Sequence, residues 1–140
     1  MPTTTFSSIV VGYDDTEPAK RALAKAADLA RAFDATLTVT SVAGVLIGRG
    51  VGPLDPVDPP SKHREELSHA ADYLAGRGVQ ADYVVGMGEP AAGIAELAEQ
   101  RDADLIVVGT REPSWLVRLL GLSVSGGVTR RAHCDVLVVY

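Results

Sequence analysis

The chain reads as a single α/β domain built on an open, doubly wound parallel sheet of five strands with helices on both faces. Three observations predict it. Short runs of Val, Ile and Leu alternate with longer alanine-rich stretches of helical period, the pattern of successive βαβ units. The hydrophobic share is 46%, yet aromatics are few (Trp115, four Tyr, two Phe), so the core is aliphatic, as in strands covered on both faces. The 140 residues suffice for one domain with a real core, and no internal repeat divides residues 1–140.

Taken in order, "FSSIVVG" (6–12) is a short apolar run suited to a buried strand. "TEPAKRALAKAADLARAF" (16–33) places Leu23, Ala26, Ala27 and Ala30 at helical spacing. Thr16 caps it, and Pro18 sits in the first turn, where a missing N–H costs nothing. "ATLTVTSVA" (35–43) is a second strand. The connection 44–60 holds four glycines and four prolines, too many for a helix or central strand; so long a link is expected to be a lid, an interface or disorder. "SKHREELSHAADYLAGRG" (61–78) is a helix with Leu67, Ala70, Ala71 and Leu74 on one face, ended by Gly76 and Gly78. "VQADYVVG" (79–86) is a strand, and "EPAAGIAELAEQR" (89–101) a helix with Ile94, Leu97 and Ala98 inward. "ADLIVVG" (103–109) and "DVLVVY" (135–140) are buried strands, joined through a short helix at 123–133. In such a sheet, ligands bind beyond the carboxyl ends of the strands, where the strand order reverses.

Charge and composition exclude several classes. The net charge is −5 with no basic stripe, so nucleic acid is not an expected partner. Cys134 is alone, which rules out an internal disulfide and fits a reducing compartment. The start "MPTTTFSSIVVG" lacks the pattern expected of a leader, and no apolar run has membrane-spanning length. A cytoplasmic location with no membrane partner is expected.

"IVVGYDDTEPAKRAL", "GEPAAGIAELAEQRDADLIVVGT" and "SVSGGVTRRAHCDVLVV", in that order and spacing, resemble the universal stress protein family along nearly the whole chain. The resemblance implies an adenine-nucleotide alpha-hydrolase-like fold with strand order 3-2-1-4-5 and strands one and four at the switch point. It also implies a homodimer and, in the nucleotide-binding branch, a Gly-x2-Gly-x9-Gly-Ser/Thr motif after strand four. Carried onto this chain, the first glycine is Gly109 and the hydroxyl Ser123, while the other two glycine positions are Glu112 and Leu122. The ribose-facing carboxylate maps to Asp14 and the adenine-lining residue to Val42. The expected contacts of ATP or another adenine nucleotide, with magnesium accompanying it, are therefore Asp14, Val42, Gly109, Thr110, Arg111, Ser123, Val124 and Ser125.

The same stretch predicts that this site is weakened. Glu112 sets a negative charge near the expected phosphates; at about 6 Å and an effective dielectric of about 20 the repulsion is roughly 3 kcal/mol per charge before solvent screening. Pro113 removes a backbone donor, and Leu122 adds bulk where the chain should pass close to a phosphate. Glu112-Pro113 also matches the helix openings Glu17-Pro18 and Glu89-Pro90, so "EPSWLVRLLG" reads as a short helix ended by Gly121. Ser123 and Ser125, with Gly126 and Gly127, keep a helix start able to bind an anion.

Other candidates have plainer readings. Asp14-Asp15 does not complete a magnesium site of the response-regulator kind, because "VVGMGEP" and "DVLVVY" lack its Asp and Lys; Asp15 and Thr16 are read as helix caps. His63 and His69 are six apart, off the spacing that puts two metal ligands on one helical face, and with His133 they are read as surface or capping residues. Cys134 is read as a small, partly buried side chain. Trp115, Leu116, Leu119 and Leu120 form an apolar stripe that suits either a core edge or a partner surface. No nucleophile–base pair is evident from spacing, so no enzyme is expected. "DVLVVY" would leave an open apolar edge, and a homodimer pairing through this strand is expected. Two functional readings follow: a stress-response dimer with a degenerate adenine-nucleotide site, or a nucleotide-independent dimer that binds an unknown protein partner.

Overall fold

The computed structural model describes residues 6–43, 60–87, 90–110 and 132–140. Within them the elements are β1 (Ser8–Gly12), α1 (Glu17–Phe33), β2 (Thr36–Ala43), α2 (Pro60–Gly76), β3 (Asp82–Met87), α3 (Pro90–Gln100), β4 (Leu105–Gly109) and β5 (Asp135–Val139). The strands form one parallel sheet in the order β3-β2-β1-β4-β5, as the resemblance implied. The connection up to residue 59 and the expected helix up to residue 131 lie outside the described residues. Ala132 and His133 carry no regular structure, so His133 does not belong to a helix end as expected.

Side chains alternate between the two sheet faces, and each face has its own core. On one, Ile9, Val11 and Tyr13 of the β1 segment, Leu37 and Val39 of β2, and Leu105 and Val107 of β4 pack under α1 and α2. On the other, Val10, Ile106 and Val108 pack under α3, against Ala91, Ile94, Leu97 and Ala98. The α1 face is almost all alanine, with Ala19, Ala22, Ala26, Ala27 and Ala30 buried. Small side chains let the helix backbone lie close to the strands, and the tightest point is Gly109. A Cβ placed there would lie 2.1 Å from the Pro18 carbonyl oxygen, so the end of β4 abuts the first turn of α1 backbone to backbone.

Each of these helices stops in the same way. The residue beyond the last turn is left-handed: Asp34 (φ 54), Gly78 (φ 70) and Asp102 (φ 50). The next amide then reaches back across the turn, Ala35 N to Ala30 O at 2.9 Å, Val79 N to Leu74 O at 2.9 Å and Ala103 N to Ala98 O at 2.8 Å. These bonds satisfy carbonyls that helix ends otherwise leave open. They also explain why β3 and β4 begin later than their apolar runs predict. Val79 and Ala103 belong to the helix stops, and Val79 is buried there rather than in a strand.

At the amino ends of β1 and β4, one carboxylate holds both strands. Asp104 accepts hydrogen bonds from Ser7 N (2.9 Å), Ser8 N (3.2 Å) and Ser7 Oγ (3.0 Å). Burial pushes this carboxyl up, but the donors from Ser7 and Ser8 outweigh it and hold it below the ordinary carboxylate range.

Candidate functional site

The strand order reverses between β1 and β4, whose carboxyl ends carry the β1–α1 turn and Gly109-Thr110. The turn is built around Thr16. Its backbone is extended (φ −74, ψ 160), and its hydroxyl accepts from Ala19 N at 3.3 Å, capping α1. That hydroxyl donates to Asp14 Oδ1 at 2.6 Å, and Thr16 N donates to the same oxygen at 3.2 Å. The exposed Asp14 carboxylate is thereby fixed at the lip of the switch point through Oδ1. Pro18 in the same first turn is the residue against Gly109, so Asp14 and the end of β4 are joined through one turn of helix.

Asp15 does not cap the helix, contrary to the sequence expectation. It is left-handed (φ 63), a conformation that aspartate tolerates better than most residues because its short polar side chain bonds locally. Its carboxylate instead crosses to α2, where Oδ2 meets His69 Nδ1 at 2.8 Å. The hydrogen bond and charge of Asp15 raise the His69 pKa above the ordinary histidine value. Tyr13 is drawn into the same group. Burial first, then the Asp15 hydrogen bond and the charges of Asp15, Asp14 and Glu66, push its phenol up. His69 is a surface histidine as expected, but a partnered one.

His63 departs from its expected place. It is buried at 4% exposure, with Nδ1 2.5 Å from Ser41 Oγ and 2.9 Å from Glu66 Oε1; Ser41 Oγ donates to that same oxygen at 2.8 Å. A proton on Nδ1 can be shared between Ser41 Oγ and Glu66 Oε1. Hydroxyl, imidazole and carboxylate in contact resemble the parts of a hydrolytic centre. Here, however, Ser41 and Glu66 are also buried, at 2% and 5% exposure, so the hydroxyl is not presented to a substrate. The cluster fastens the start of α2 to the end of β2.

The remaining predicted contacts divide sharply. Val42 lies in β2 with its backbone paired to Gly86. Gly109 ends β4, and its lack of a side chain is already demanded by Pro18. Thr110 is buried and donates its amide to Val139 O at 3.0 Å. Arg111, Ser123, Val124 and Ser125 lie outside the described residues, as do Glu112, Pro113, Leu122 and the Trp115 stripe. The structure thus brings Asp14 and Gly109 to one place. Among the described residues His69 pairs with Asp15 and His63 with Ser41 and Glu66, while His133 is exposed and Cys134 half-buried in the α3-side core. No described helix is long and apolar enough to cross a membrane.

Comparison with known proteins agrees with this architecture. A universal stress protein of Methanocaldococcus jannaschii is 32% identical over 139 residues, covering 96% of this chain and 82% of that protein. A crystal structure of a universal stress protein family member from Burkholderia pseudomallei superimposes with a TM-score of 0.72 at 27% identity, covering 99% of this chain and 98% of the other. A universal stress protein solved in complex with cAMP superimposes with a TM-score of 0.69 at 28% identity, covering 98% of each chain. The profile of the universal stress protein family matches residues 5–140. With the strand order and the switch point in place as that family requires, the chain belongs to the universal stress protein family.

Proposed function

We propose that this protein is a small cytoplasmic stress-response regulator, acting as a dimer and binding an adenine nucleotide weakly at the switch point rather than turning over a substrate. The observation that carries the reading is the exposed Asp14 carboxylate, fixed by Thr16 beside the end of β4, where an open parallel sheet receives ligands. The related protein solved with cAMP supports adenine nucleotides as the ligand class. Asp14 fits a ribose or a hydrated magnesium ion equally well. Glu112, Pro113 and Leu122 supply the weakening, through charge, a lost donor and bulk.

One observation favours the second reading, a nucleotide-independent module that binds another protein. Gly109 is needed for helix packing whether or not a phosphate is bound, so its presence is no evidence of a ligand. Calorimetric titration with ATP, with and without magnesium, separates the readings. Glu112→Gly combined with Leu122→Gly is expected to tighten binding at least about tenfold, or about 1.4 kcal/mol. Submicromolar wild-type affinity unchanged by the pair would overturn the weakening; no binding by either protein would favour the second reading.

The dimer reading rests on β5. Among the described strands it pairs with β4 alone, and its Val136, Leu137 and Val138 are only half-buried. Such an edge invites a second strand. Val138→Lys is expected to yield monomers in sedimentation, and a wild-type protein that already sediments as a monomer at micromolar concentration would refute it.

A further inference from the structure

The contact between Asp15 and His69 joins the β1–α1 turn to a helix far away in sequence, and the sheet pairing does not require it. Asp15 immediately follows Asp14 and holds a left-handed φ of 63 in the same turn. Behind the pair lies a cavity of about 490 Å³ lined by Tyr13, Asp15, Lys20, Leu23, His69 and Tyr73. Tyr13 packs in one core with Leu67, Ala70 and Leu74 of α2, and the Asp15–His69 contact adds a polar tie beside that packing.

Resting on the nucleotide reading, we infer that His69 is a positioning residue: through Asp15 it sets the turn that presents Asp14, and it makes ligand affinity depend on its own protonation. A protonated imidazole makes a charge-assisted bond to Asp15, and loss of the proton leaves a weaker neutral one. The groups facing His69 act in one direction with few exceptions. Asp15 from the turn and Glu65 and Asp72 from α2 favour the cation, and only desolvation opposes it. Tyr13 from the β1 segment shares Asp15, while Lys20 from α1 lies across the cavity and pairs with Glu17 at 3.2 Å. The contribution is therefore complete below the ordinary histidine value of 6.5 and fades as pH rises through the raised native value.

The test uses cAMP, whose phosphodiester lacks the second phosphate ionisation near pH 6 that complicates monoesters. Its affinity is expected to fall several-fold across the His69 titration in the wild type. It should be flat with pH and weak in His69→Gln, and flat and strong in His69→Arg, which keeps the cation. In parallel, the amide signals of Asp15 and Thr16 are expected to titrate with the His69 ring midpoint and to stop doing so in His69→Gln. Binding that is independent of pH, or equally pH-dependent in His69→Gln, overturns the inference and leaves the nucleotide reading intact. Absence of cAMP binding at every pH refutes the affinity claim and leaves the nucleotide reading to the ATP titration. The amide titration then decides alone whether His69 sets the turn, and flat amides refute that too.

Discussion

The two ends of the sheet are held by the same residue type in opposite ways. At the amino ends, Asp104 gathers donors from Ser7 and Ser8 and becomes a stronger acid for it. At the carboxyl ends, Asp14 is exposed with Oδ1 committed to Thr16, and Asp15 reaches out of its own turn to α2 beside a cavity. The first end gathers several donors on one acceptor. The second is held at a few points, two of them titratable or solvent-facing. In an open α/β sheet the ligand end is the carboxyl end, and this asymmetry places the adaptable contacts there.

The contrast between the two ends fails most visibly at Gly109, where, as at the buried Ser41–His63–Glu66 cluster, the carboxyl end is tightly packed. A methyl at that position meets Pro18 backbone atoms at 2.1 and 2.2 Å, and backbone yields less readily than a side chain. Gly109→Ala is expected to cost about 3 kcal/mol and lower Tm by about 10 °C, whether or not any nucleotide is bound. A melt unchanged within 2 or so degrees (about 0.5 kcal/mol) would mean that α1 and β4 are not in such close contact.

Asp104→Asn comes next. Exchanging the carboxylate for an amide sets a donor against donors, with an expected loss of about 2 kcal/mol at neutral pH. Because the native pKa is depressed, the contribution exists above the unfolded value near 3.8 and disappears as pH falls through the lower native value. Urea unfolding of both proteins should therefore show a gap at pH 7 that narrows towards pH 2. A gap of constant size would point to lost packing rather than lost charge.

Much of the fold was legible because a parallel strand buried on both faces is a run such as Ile9-Val10-Val11 or Leu105-Ile106-Val107-Val108, whose shortness, β-branched content and following glycine separate it from a helix. Boundaries failed where a helix stop needs an apolar residue of its own, as at Val79. The buried polar cluster was half legible. His63 and Glu66 continue the stripe of Leu67, Ala70 and Leu74 along α2, and Ser41 continues the alternation of Leu37 and Val39 along β2. What spacing does not disclose is that these two stripes meet, since Ser41 and His63 are 22 residues apart. Asp15 was misread for a related reason: a carboxylate before a helix has a local use as a cap, and only the fold shows a distant one. The phosphate side rests on Glu112, Pro113 and Leu122, beyond the described residues, where charge, a lost donor and bulk are properties of the residue types themselves.

The smallest effect sets three aspartates in one backbone conformation against each other. Asp15, Asp34 and Asp102 are all left-handed. Asp34 and Asp102 sit beyond helix carboxyl ends, where the dipole disfavours a negative charge and where glycine is the residue that takes this conformation without strain. Replacing either by glycine removes both penalties and loses only unfolded-state stiffness, for a net gain of about 0.5 kcal/mol and a rise in Tm of about 2 °C. Asp15 sits just before a helix amino end, where its charge is favourable, and its carboxylate is bound to His69. Asp15→Gly relaxes the backbone but discards those interactions, so no gain in Tm is expected, and the His69 titration should move back towards its ordinary midpoint. Equal stabilisation by all three substitutions would show that the Asp15 carboxylate contributes nothing to the turn.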